Sequence, residues 1–202
     1  MKKVIMLLGV VLFSASAFAL NAVAPADQAC AKQKAAFEQE VAGQANASFI
    51  AQNILINLAD PMAQLSDEAA LAQAVCYATY EVKGQPLTAF VRAQKDAFRP
   101  KEAGQLAAFA QRVERLNVQA QLNPVVAQGN VSHTVEFILI NFADPMAKLS
   151  DEEAAPLAQA YQGCRVNGRP MTEFVRVHAS EFAGNVSQDL DAFVERVNKL
   201  AK

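Results

Sequence analysis

The stretch ILINLADPMAQLSDE, Ile54 to Glu68, returns as ILINFADPMAKLSDE, Ile138 to Glu152, and this offset of 84 positions holds without a gap to the end of the chain. A period of that length means one supersecondary unit was copied, so the two halves should fold alike and any real site should be examined in each copy. Composition then selects the class. Trp is absent, Gly and Pro number only 8 each and Ala is abundant, which favours helix over sheet.

Helical spacing organises both copies. Phe49, Ile50, Ile54, Leu55 and Leu58 recur at helical intervals and are expected to stop at Asp60-Pro61, because a residue before proline is pushed out of the helical region. Ser66 and Ser150 read as N-caps of a second helix, Asp67 to Tyr80 in one copy and Asp151 to Cys164 in the other; Ser150 with Glu153 makes a complete capping box. Gly84-Gln85-Pro86 and Gly168-Arg169-Pro170 break the chain before a third helix. The fourth carries Leu106, Phe109, Val113 and Leu116, matched by Leu190, Phe193, Val197 and Leu200.

A leading helix over Asp27 to Val41 aligns at the same offset with Gln111 to Val125, so the fourth helix of the first copy also serves as leading helix of the second, with Asn123-Pro124 at the joint. The expected fold is all-α: two roughly four-helix units of 84 residues plus an extra N-terminal helix. The expected division is 1–19 signal peptide, 20–45 leading helix, 46–122 first repeat and 123–202 second repeat. Val135 to Phe142 reads VEFILINF, strand-like by propensity, and makes α+β the alternative; Ala51-Gln52-Asn53 at the matching place is poor strand material.

Lys2 and Lys3 ahead of an apolar run from Val4 to Phe13, closing on Ala17-Phe18-Ala19, read as a secretory signal peptide with Leu20 as mature N-terminus. The periplasm is the expected location and the external medium the alternative, with no membrane span in the mature form. Loss of the two lysines moves the formal charge from −2 to −4, and no basic patch remains for nucleic acid. The mature chain has Cys30, Cys76 and Cys164 in a compartment that oxidises thiols. Cys30 aligns with Glu114 and Cys76 with Ala160, so both are missing together from the second copy, and Cys30–Cys76 is the expected disulfide.

Chemistry is sparse. His133 and His178 align with Phe49 and Gln94, so neither is duplicated, and neither lies at ligand spacing; no metal site is expected. No GxSxG, HExxH, phosphate-cradling loop or CxxC occurs, and no catalytic residue is assigned. The phrase ADPMAKLSDEEAAPLAQAY resembles the methionine loop and last helix of small c-type cytochromes over about twenty residues of each copy, which implies Met62 and Met146 as haem ligands. The chain has no CxxCH, which excludes covalent haem attachment and takes that role away. Methionines anchoring an apolar pocket are the ordinary reading, and no cofactor is expected.

Apolar packing alone does not require the polar residues kept in both copies: Asn57/Asn141, Asp60/Asp144, Ser66/Ser150, Arg92/Arg176 and Arg112/Arg196. The structural reading is caps, turns and an arginine of the third helix, Arg92 or Arg176, tied to the Asp-Pro turn of its own copy. The functional reading is a duplicated binding pocket of Asn57, Asp60, Met62 and Arg92, repeated as Asn141, Asp144, Met146 and Arg176. The functional expectation is an exported, non-catalytic binding protein that holds a protein, peptide or lipid between its repeats. A small periplasmic enzyme with an unrecognised site and an immunity or inhibitor protein are the alternatives.

Overall fold

The computed structural model of the protein describes residues 25–202, so the signal-peptide reading of 1–19 lies outside them. Helix α1 (Pro25–Ala42) leads, and α2 (Ala47–Ile54) starts where Asn46 Oδ1 accepts the Ser48 N–H at 2.9 Å. The chain then passes through one wide π turn, Leu55–Ala59, into the short α3 (Asp60–Ala63) and on to α4 (Asp67–Tyr77), capped by Ser66. A two-residue hairpin, β1 (Glu81–Val82) with β2 (Gln85–Pro86), precedes α5 (Leu87–Ala93) and the long α6 (Pro100–Val126).

The second unit repeats this order. It runs α7 (Val131–Ile138), a π turn at Leu139–Ala143, α8 (Asp144–Ala147), α9 (Asp151–Gly163), the hairpin β3 (Arg165–Val166) with β4 (Arg169–Pro170), α10 (Met171–His178) and α11 (Asn185–Leu200). The fold is all-α. VEFILINF is helix and π turn, and among the described residues the strands are confined to the two hairpins.

Two local expectations are corrected. The helix does not stop before Asp60-Pro61: Asp60 keeps a helical backbone and donates its N–H to the Leu55 carbonyl, as Asp144 does to Leu139. A proline ring in an α turn presses on the carbonyl four residues back, and widening that turn to five residues relieves the contact while the missing N–H falls at the start of the next helix. Similarly, Pro124 lies inside the final turn of α6, which runs through Asn123-Pro124 without a break.

Helix α6 explains how one chain carries two cores. Phe109, Val113 and Leu116 pack into the first with Phe37, Tyr77 and Tyr80, whereas Val118 and Leu122 pack into the second, where the rings of Phe142, Tyr161 and Phe193 meet at a tilt. Moved by 84 positions, α1 spans 109–126 and ends at the same residue as α6. Among the described residues, no helix precedes α1 in the first unit. There Cys30 and Cys76 form the expected disulfide, with Cα atoms 5.6 Å apart, joining α1 to α4.

Candidate functional site

The retained Asp-Pro-Met turn of each unit is fastened by an arginine of the fourth helix. Arg112 donates to the carbonyls of Met62, which also accepts the Leu65 N–H, and of Leu65 (2.7 Å), and to Asp67 Oδ1 (3.0 Å), so it ties the carbonyls where α3 ends to the start of α4. Arg196 binds Met146, Leu149 (2.6 Å) and Asp151 (3.1 Å) in the same way. A second cation completes each cluster: Arg115 lies 2.8 Å from Asp67 Oδ2, and Lys199 lies 2.9 Å from Asp151 Oδ2.

Electrostatics follows that geometry. Burial pushes the Asp67 carboxyl up, but the hydrogen bonds of Arg115 and Arg112 outweigh it and hold the group below the usual carboxylate range. Lys199 first, then Arg196, lower Asp151, and the Ser150 backbone N–H lowers Glu153 within the capping box.

Beneath the first turn lies a shallow depression of about 260 Å³, lined by Ala59, Asp60, Met62, Ala63, Phe109 and Arg112, among others. Its counterpart of about 250 Å³ is lined by Ala143, Met146, Ala147, Ala192, Phe193 and Arg196. All six are the 84-residue partners of residues lining the first, Ala192 being the partner of Ala108. The methionines are buried floors, each 1% exposed. One turn before each depression stands an exposed isoleucine, Ile56 at 56% and Ile140 at 62%. The guanidinium on each wall already has its acceptors, so what the depressions offer is apolar contact.

The expected site residues divide accordingly. Asp60 and Met62 share the first depression and Met146 lies in the second; Asp144 is exposed and is not part of its lining. Asn57 is exposed, while Asn141 donates to the Phe137 carbonyl of its own helix at 2.9 Å. The expected pairing of Arg92 with Asp60 is replaced by a two-pronged pair of Arg92 with Glu114. Glu114 is two residues beyond Arg112, about 200° around the helix, so α5 packs on the face of α6 turned away from the Asp-Pro turn. Glu114 has Asn198 as its partner by offset, and Arg176 is exposed. Arg112 and Arg196 are among the polar residues present in both copies, but nothing in the sequence ties them to the turn.

Between the units, α4, α6 and α9 enclose a further depression of about 480 Å³ whose wall is charged, with Asp67, Glu68, Arg115 and Arg165 around Leu71 and Leu116. Among the described residues, no three His, Cys, Asp or Glu side chains gather as a set of metal ligands, and no helix is long and apolar enough to cross a membrane. Comparison with protein families, with curated proteins and with solved structures finds no match.

Proposed function

We propose that the protein is an exported, non-catalytic binding protein of the periplasm that holds a protein or peptide partner by apolar side chains seated in the paired depressions of its two units. The observation that carries this reading is the recurrence of one depression, with equivalent lining, in both copies. Each is smaller than the roughly 300–1,000 Å³ usual for a whole small ligand, which favours anchor side chains of a larger partner over an enclosed metabolite or acyl chain. Two linked weak contacts raise overall affinity far above either alone. The disulfide and the signal-like leader support an oxidising compartment outside the cytoplasm.

The test is co-purification from periplasmic extract, with mass spectrometry of both lipid and protein, comparing the native chain with an Ala63→Arg/Ala147→Arg double variant. A protein retained by the native chain and lost from the variant is the expected result. A lipid retained equally by both, or an identical protein profile, contradicts the reading.

A further inference from the structure

We propose that the Cys30–Cys76 disulfide is a redox-sensitive latch: its reduction releases the N-terminal half of α1 from α4 while the rest of the first unit stays folded. The two halves of α1 are held in different ways. From Phe37 onward the helix is anchored by buried Phe37 and Val41, by Glu38 accepting the Glu81 N–H at 2.9 Å, and by Glu40 accepting from Asn53. From Asp27 to Ala36 no residue is buried; Cys30 and Lys34 are half-buried and the others are exposed.

The contact between that half and α4 is poor in other fastenings. Gln33 reaches the Tyr77 hydroxyl, but Gln73 Oε1 on the cysteine-bearing face of α4 is buried with no partner among the described residues. A depression of about 590 Å³ opens between the helices at the disulfide, lined by Ala29, Ala31, Ala72 and Val75, and Val75 is 41% exposed. The bond is thus approachable from solvent. A free helical segment of about a dozen residues is marginal in water. In the second unit the equivalent stretch is the middle of α6, which cannot be detached, so the latch exists in one unit only.

The reductant is a dithiol protein or small dithiol. Its thiolate attacks one sulfur to form a mixed disulfide, and its second thiol resolves it. Two electrons and two protons pass to Cys30 and Cys76, which become thiols as the reductant becomes a disulfide. Cys164, fully buried with its thiol pushed up to about 12 by burial, takes no part and serves as an internal control.

Hydrogen exchange read by mass spectrometry on the mature chain tests this, before and after dithiothreitol and in a Cys30→Ser/Cys76→Ser variant. Exchange over residues 27–36 is expected to rise at least tenfold in both reduced forms, with Phe37–Ala42, α4 and the second unit unchanged and Cys164 unlabelled by alkylating agent. Unchanged exchange over 27–36 overturns the proposal, as does loss of protection throughout the first unit.

Discussion

One guanidinium, that of Arg112, carries the carbonyls of Met62 and Leu65 and the carboxylate of Asp67. Arg112→Ala strips all of them at once. Hydrogen bonds to a charged group contribute about 1.5–3 kcal/mol, so urea denaturation should show a loss of about 2–3 kcal/mol, and Arg196→Ala a similar one. Arg92→Ala removes a partly exposed pair and should cost about 1 kcal/mol. Equal losses at 92 and 112 would contradict the assignment. Asp67 and Asp151 both titrate below their ordinary range in the folded chain, so their stabilisation is complete above about pH 4 and is lost as pH falls through the folded values. Urea midpoints should therefore be flat from neutral pH to about 5 and fall below 4, with a shallower fall in Asp67→Asn. At this scale, caps and the cysteine pair were legible because Ser150 with Glu153, and the joint absence of Cys30 and Cys76 equivalents, are local or countable in the sequence. The partner of Arg92 was not, because it depends on which face of α6 meets α5.

Elements were legible wherever the apolar period was long, as in α6 and α11, and illegible where one bond pattern replaces another. The π turns at Leu55–Ala59 and Leu139–Ala143 leave no mark except the proline that follows them, and the ordinary rule for proline predicts a stop. The hairpins had a signal in the second copy, since Asn167-Gly168 is the favoured pair where both turn residues need positive φ; here they are 51° and 79°. Lys83-Gly84 in the first copy, at 51° and 75°, hides it. Gly168→Ala places a side chain in the left-handed region and should lower stability by about 1 kcal/mol in thermal or urea unfolding, although open space surrounds the position. No loss would mean that the turn relaxes.

The whole molecule is two cores joined by a shared helix, a plan implied by the repeat offset because α1 and the second half of α6 end at matching residues. What the offset could not convey is how the units meet: Arg115 lies over Gly163, where an added Cβ would come within 2.3 Å of its Cδ, and reaches Asp67 beyond. With α6 continuous, the chain should unfold in a single urea transition. Asn117→Pro, placed between Leu116 of one core and Val118 of the other, costs a helix interior roughly 3 kcal/mol and should split it in two. The paired depressions are also a property of this scale, since their lining residues recur at the offset of 84. The most direct test is to place a photo-crosslinking amino acid at position 63, at 147 and, as a control, at exposed Ala89, and to irradiate intact cells. The same partner protein captured from 63 and from 147 but not from 89 is the predicted result; capture from 89 alone, or different proteins from the two depressions, would contradict it.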